Sequence, residues 1–547
     1  MSGILHIGLG GVLGLTAWLV PRHIAEARRT GLPTLLLDLS PVVLGGSLLL
    51  VATGRPIVSG LVLLALGAGF ALADQTKREV LREPVVFSEM SELPQVFTHP
   101  QLYLPFAGTT LVIAGAVTAI ALGVALLLLE PELWEPNPVL IVSFFSVVGA
   151  GGWVMSHEPV LGALAAALRR LRPAGEPFAD AARLGPFAMI LVYGIVARAE
   201  RAARRARYAV PRAPARGRGR SSVAVPLILV QCESFFDARR LSPLVPRKLL
   251  SGFDACCKAG ATFGRLEVPG WGANTMRAEF AVLTGIPEDD LGYDRFNPYH
   301  AFARAPLGSL VWRLRDEGYR TVCLHPFDRG FFRRDLTLSA LGFEIFLGLE
   351  SLGGSRRPPY LSDPDLARHV LRMLNAEGPR VFVFAITMGN HGPWLDAAAP
   401  IDAELSRTFD PADHRQGYEL LRYLSGLRRS DEMLHVLMNG LGRQGHAGVL
   451  AFYGDHLPSL PHAFRHFGFD EAGSDYVLWR GDASPTRQLD LPAHGLTGMI
   501  VDALRARGAI GGRGASAAVP AAVTAPRGGL IVAPTPVGGP ADAPAGG

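Results

Sequence analysis

Charge and cysteine are both scarce in this chain. Asp, Glu, Lys and Arg make up 18% of its 547 residues, and only four residues are cysteine. Cys232, Cys256, Cys257 and Cys323 form no CxxC or similar spacing, which excludes a cysteine-built metal centre. In an oxidising compartment they admit a disulfide, with a pairing that sequence cannot assign. The formal net charge is +5 and is spread out. No basic stripe carries interleaved aromatics, so nucleic acid is excluded as a partner. No internal repeat is present.

Apolar residues are plentiful, at 49%, and unevenly placed. Runs at roughly 3–20, 34–53, 56–73 and 107–129 are long enough to span a bilayer, and 139–155 is a shorter, uncharged fifth. The first run lacks a basic n-region and is followed by more hydrophobic spans, so it is not read as a signal peptide. Its "GLGGVLG" has no preceding strand and the wrong spacing for a nucleotide loop; it reads as a small-residue face for helix packing. Residues 1–155 are therefore a membrane domain of about five helices.

Basic clusters at Arg22/Arg28/Arg29, Lys77/Arg78/Arg82 and Arg169/Arg170/Arg172 alternate with the acidic loop "EPELWEPNP" (130–138). The positive-inside rule leaves two schemes open. Either 184–197 is a sixth short span and the N-terminus lies outside, or there are five spans and 184–197 lies along the interface. Both put the C-terminal half outside the cytoplasm. The basic stretch 198–220 suits contact with anionic headgroups.

Residues 156–222 read as juxtamembrane helices ending in a Pro/Gly/Arg linker, 223–508 as one soluble domain, and 509–547 as a disordered Ala/Pro/Gly-rich tail. Within the soluble domain, apolar β-branched runs at 223–231, 319–325, 380–387 and 447–454 read as buried strands. Helical patterns such as "GSLVWRLRDEG" and "PDLARHVLRMLNAEG" lie between them. Alternation of this kind predicts an α/β fold with a mainly parallel sheet covered by helices on both faces.

Open parallel sheets bind ligands at the carboxyl ends of their strands. Each of the four runs is followed there by chemistry-bearing residues: "CESFFD" with Glu233, "PFDRGFFRRD", "MGNHGPW" with His391, and "DHLPS" with Asp455 and His456. Singly, each has a bland reading: Glu233 as a turn cap, Asp455–His456 as a loop salt bridge or helix start, His391 as an idle turn histidine. Together Glu233, Asp455, His456 and a hydroxyl would make an oxygen-rich site with one imidazole, suited to Mn²⁺ or Mg²⁺ more than to zinc, with zinc still open. Thr275, in "GWGANTMRAEFAVLTG" (270–285), can supply the hydroxyl. It opens a helical pattern, so it is either an N-cap or a nucleophile beside free backbone N–H groups.

In this order, "ILVQCESFFD", "GANTMRAEFAVLTGIP", "HPFDRGFFRRD", "TMGNHGPW" and "FYGDHLPS" after a five-helix membrane part resemble the lipoteichoic acid synthase / phosphoglycerol transferase family of the alkaline phosphatase–sulfatase superfamily. The resemblance implies metal ligation by Glu233, Thr275, Asp455 and His456, with Thr275 as nucleophile and His391 on the phosphoglycerol group. It implies that Phe332 and Arg334 bind the glycerol phosphate, Phe332 standing where the family has tryptophan. It further implies phosphatidylglycerol as donor, an envelope glycan or glycolipid as acceptor, one divalent cation (manganese foremost), and an extracytoplasmic catalytic domain on the cytoplasmic membrane. No Cys-x-Pro-x-Arg is present, against the formylglycine route of true sulfatases. A phosphoethanolamine transferase or hydrolase of the same superfamily, and a non-catalytic glycan-binding scaffold, are the alternatives.

Overall fold

The computed structural model describes residues 2–27, 31–210, 221–395, 401–408, 414–443, 448–482 and 484–511. Most of the 211–222 linker and the tail beyond 511 fall outside them.

Five helices among these residues are long and apolar enough to cross a membrane: Gly3–Ile24, Leu32–Thr53, Pro56–Leu81, Thr109–Leu129 and Pro138–Ser156. The small-residue reading of the first span holds. A Cβ on Gly10 would lie 2.3 Å from the Pro56 carbonyl oxygen, and one on Gly60 would lie 2.5 Å from that of Gly10. Only glycine lets these two backbones touch.

The sixth apolar run lies almost wholly in one helix, which turns sharply from the helix before it. Helices Pro177–Leu184 and Pro186–Arg207 meet at 119°. The second lays Ala188, Met189, Val192, Tyr193 and Val196 against Leu168, Leu184 and Phe296. Its far end is pinned to the soluble domain by Arg201, whose Nη2 is 2.7 Å from Asp294, and by Arg204 on the same carboxylate.

The soluble domain is built on a nine-stranded sheet. Its strands are β1 (Leu227–Cys232), β2 (Thr262–Glu267), β3 (Arg320–Leu324), β4 (Ile345–Leu347), β5 (Val381–Ile386), β6 (Val449–Gly454), β7 (Ser474–Trp479), β8 (Arg487–Gln488) and β9 (Leu491–Pro492). Their order is β4-β3-β5-β1-β6-β7-β2-β8, with β9 also on β2. The strands from β4 to β6 are all parallel, and β7 runs antiparallel to both its neighbours.

Alternation within the strands explains their unbroken apolar runs. Ile228 and Val230 of β1 join one core with helices Asp363–Glu377 and His414–Arg443. Leu227 and Leu229 join the other, with Thr275–Thr284, Leu310–Asp316 and Ala493–Ala506. Both faces are covered, so both residue parities must be apolar. Ala509 and Ile510, which composition assigns to the tail, are buried in the second core. All four cysteines are buried and free, so the disulfide allowed by sequence does not form.

Candidate active site

Strands β3, β5, β1 and β6 are neighbours in that order and point the same way. Their carboxyl ends therefore bring His325, the 387–391 loop, Glu233 and Asp455–His456 to one edge. Local backbone aims the acids. Ser234 takes φ +56°, a left-handed conformation that costs a non-glycine residue about 1 kcal/mol. There its N–H donates to Asp455 Oδ1 at 2.9 Å and its hydroxyl donates to Glu233 Oε1 at 2.9 Å. The Glu233 N–H donates to the Thr387 hydroxyl on the β5 loop.

The question of Thr275 has a structural answer. Asn274, with φ +63°, is the N-cap of helix Thr275–Thr284, and Thr275 is the first residue inside it. The threonine hydroxyl is thus released from capping. It lies 3.4 Å from His456 Nε2 and is 8% exposed.

His456 Nδ1 is 2.9 Å from the Leu457 carbonyl oxygen, which only accepts, so Nδ1 carries the proton. Nε2 then faces Glu233 Oε1 and Asp455 Oδ2, each at 3.5 Å. These distances are long for hydrogen bonds. Asp455 Oδ2 is buried with no hydrogen-bond partner. Burial, helped by the Glu233 charge, pushes the Asp455 carboxyl up to about 7. Crowded acids, an orphaned carboxylate oxygen and an oriented imidazole fit a divalent cation, and ligand atoms of Glu233, Asp455 and His456 all lie within 4.8 Å of one another.

The residues expected to hold substrate are placed less uniformly. His391 is half-buried on the β5 loop. Its Nδ1 donates to the Gly392 carbonyl at 2.6 Å, leaving Nε2 as the acceptor of the neutral ring. Phe332 packs on Phe331, with ring centroids 4.2 Å apart, in an aromatic group that also takes in Phe327, Tyr360 and, from the membrane half, Leu102 and Tyr103. Arg334 is 2% exposed and turned to Glu279, fully buried on the Thr275 helix. Its Nη2 and Nε lie 3.0 and 3.1 Å from Glu279 Oε2. Its charge is thus already balanced by a carboxylate.

Three residues escape sequence reasoning. Glu279 reads as an ordinary first-turn acid, although its place four residues after Thr275 puts both on one helix face. His325 closes the β3 run and lies at a strand end, a signal that was available. It accepts from Arg334 Nη1 at 3.2 Å through Nε2, so its Nδ1–H faces the Ile386 carbonyl, 3.3 Å away. Burial, with Arg334 beside it, holds this imidazole well below its ordinary pKa. Tyr360 meets the His391 ring edge-on at 6.1 Å; only tertiary structure brings these two together.

Residues 245–494 match the family model described as Sulfatase. The soluble domain is sulfatase-like. This agrees with the superfamily that the motif order implied. The chain is 29% identical over 428 residues to the capsular polysaccharide biosynthesis protein RkpI of Rhizobium meliloti (strain 1021), covering 74% of each. It is 28% identical over 245 residues to a putative cyclic beta-1,2-glucan modification protein of the same organism, covering 44% of this chain and 37% of that one. Among solved structures, it resembles the integral membrane lipooligosaccharide phosphoethanolamine transferase A (EptA) of Neisseria meningitidis. The TM-score is 0.54 at 13% identity, over 91% of this chain and 95% of that one. That likeness is one of fold: several membrane helices followed by a sulfatase-like domain.

Proposed function

We propose that the protein is a membrane-anchored phosphotransferase that moves glycerol phosphate from phosphatidylglycerol to an envelope glycan or glycolipid through a covalent phospho-threonine at Thr275. The observation that carries this reading is the Thr275 hydroxyl: uncapped, nearly buried, and 3.4 Å from an imidazole set between two carboxylates. A threonine placed only to start a helix would use its oxygen on the backbone instead.

Glu233, Asp455, His456 and the Thr275 oxygen would hold one divalent cation. When bound, that cation supplies acidity to the threonine hydroxyl and neutralises charge on phosphate oxygens. The carboxylate-rich donor set suits manganese or magnesium ahead of zinc. Thr275 Oγ1 attacks phosphorus, the bond to the diacylglycerol oxygen breaks, and the leaving alkoxide takes up a proton. An acceptor hydroxyl then attacks the same phosphorus, breaking the threonine ester and returning the proton to Thr275. The Thr275 helix presents free N–H groups and the positive end of its dipole to the phosphoryl oxygens. His391 Nε2 is the acceptor available to a substrate hydroxyl. Phe332 supplies the apolar wall for the glycerol carbons, while Arg334, its charge taken up by Glu279, holds the helix that Thr275 opens.

The choice of glycerol phosphate rests on the motif set, and the choice of a glycan acceptor on the relatives named for polysaccharide and glucan work. A domain tied to membrane helices meets a lipid donor in the plane where that lipid lies, which favours a phospholipid headgroup over a soluble ester. The deciding experiment incubates full-length wild type and Thr275→Ala with fluorescent phosphatidylglycerol in mixed micelles, followed by intact-protein mass spectrometry. Release of fluorescent diacylglycerol and a glycerol-phosphate adduct on Thr275 are expected in wild type alone. Turnover by the alanine variant would refute the mechanism, and an ethanolamine-phosphate adduct formed in a parallel incubation with phosphatidylethanolamine, with none from phosphatidylglycerol, would reassign the donor.

A further inference from the structure

The end of the third span and the residues just past it do more than lead out of the membrane. Residues 77–83 touch the loop before Thr275, the helix after it, and the loop after His456. Glu83 grips Arg277 with both oxygens, at 2.7 and 3.1 Å from Nη1 and Nη2, while Arg277 Nε donates to the Phe296 carbonyl at 3.0 Å. Lys77 donates to Glu83 at 2.9 Å and to Glu89 at 2.7 Å. The Val80 carbonyl accepts from the Ser459 hydroxyl at 3.1 Å. That same oxygen lies 2.4 Å from where a Cβ on Gly272 would stand, so only glycine fits there. The Arg82 guanidinium stacks 3.6 Å from the Trp271 ring centroid.

Arg277 is an odd choice at its position. It is the third residue of the helix that Thr275 opens, fully buried, at the end of a helix where backbone N–H groups already repel a cation. An arginine there is tolerable only with a dedicated carboxylate, and that carboxylate comes from the membrane half. Burial works against ionising Glu83, but Arg277 and Lys77 outweigh it and hold its carboxyl at about 2. Glu83 is thus ionised at any working pH. The nucleophile loop and the His456 loop are also joined directly, since Gly272 N–H donates to the Leu457 carbonyl at 3.1 Å. The end of the third span and the residues just past it therefore fix both sides of the Thr275–His456 contact.

Resting on the transferase reading, we propose that Glu83 and Arg277 are positioning residues for Thr275, so that the membrane domain sets the geometry of the chemical step as well as anchoring the enzyme. Neither side chain touches the reacting atoms. A misplacement of the nucleophile by about 1 Å can cost on the order of 10²-fold in rate, and that loss belongs in kcat, not in KM.

The test uses full-length Glu83→Gln, Arg277→Met, their double variant and the conservative Glu83→Asp, with rates normalised to the fraction of molecules that bind Mn²⁺. Two substrates are compared: fluorescent phosphatidylglycerol in micelles and the soluble diester bis(p-nitrophenyl) phosphate. We expect kcat to fall on the order of 10²-fold for both substrates with KM nearly unchanged. The double variant should lose no more than the worse single one, and Glu83→Asp should recover part of the rate. A fall confined to the lipid substrate would mean that the contact serves lipid presentation, and would overturn the proposal, as would normalised rates within twofold of wild type. Hydrogen exchange of residues 270–285 should quicken in Glu83→Gln; unchanged protection would overturn the proposal even if wild type showed no Thr275-dependent turnover, a result that by itself counts against the transferase reading.

Discussion

The backbone N–H of Ser234 donates to Asp455 Oδ1 at 2.9 Å, tying the loop after β1 to the loop after β6. The bond leaves Asp455 Oδ2 without a partner, aimed at the space between Glu233 and His456. Ser234 achieves this from a left-handed backbone, and its hydroxyl steadies Glu233 as well. Strain at one residue thus orients two acids.

Ser234→Gly should separate these roles. Glycine keeps the N–H, adopts the same φ without cost and lacks the hydroxyl. The expected result is a 10–100-fold weaker Mn²⁺ affinity by calorimetry, the usual consequence of losing a group that orients a ligand, with a melting temperature no lower than wild type. Dialysis of wild type against a chelator should abolish turnover, and Mn²⁺ should restore it.

Asn274 decides whether Thr275 is a cap or a free hydroxyl. Asn274→Gly preserves the left-handed N-cap and should keep near-wild-type kcat. Asn274→Ala loses that preference at a cost of about 1 kcal/mol and should lower kcat with little change in KM. Steady-state rates of the two variants, measured side by side, check this.

Arg334 and Glu279 are both almost fully buried, at 2% and 0% exposure. Removing one charge leaves the other unpaired. Arg334→Met should destabilise the soluble domain by about 3–5 kcal/mol, visible as a lower thermal midpoint. Arg334→Met with Glu279→Gln should recover much of that midpoint. If the double variant is stable yet still inactive, the pair serves substrate as well as fold.

Asp363 supports the His391 loop by accepting from the Gly389 N–H at 3.1 Å, and it also accepts from the Ser430 hydroxyl at 2.6 Å. Burial pushes its carboxyl from 3.8 up to about 6. Between these values the unfolded chain gives up the proton that the folded chain keeps, so rising pH removes stability across roughly pH 4–6, by about 3 kcal/mol at most, and the loss is complete above that window. Melting curves from pH 4 to 7 should show this slope in wild type and a flatter profile in Asp363→Asn.

The parallel sheet was legible because its strands are buried on both faces: runs such as "LILV" and "VFVFAI" carry no polar residue at either parity. Short or edge strands left weaker traces. In β2, "TFGRLE" mixes charge and glycine because one face is partly exposed, and β8 and β9 have two residues each. The cluster of Glu233, Asp455 and His456 followed from the rule that polar residues after parallel strands converge at one edge. Glu279, Tyr360 and the Glu83–Arg277 pair had no such rule behind them, since their partners lie between 31 and 194 residues away in sequence.

Local composition thus determined the spans, the α/β character and the ordered motifs, because helix and strand periodicity and bilayer length are properties of short segments. The choice among readings at each site residue was tertiary. Asn274 took the N-cap position, which placed Thr275 inside the helix; Glu279 took Arg334; and Glu83, just past the third span, took Arg277. A side chain's role depends on which distant group satisfies its charge or hydrogen bonds, and in this protein the packing of sheet, helices and third span supplies those groups.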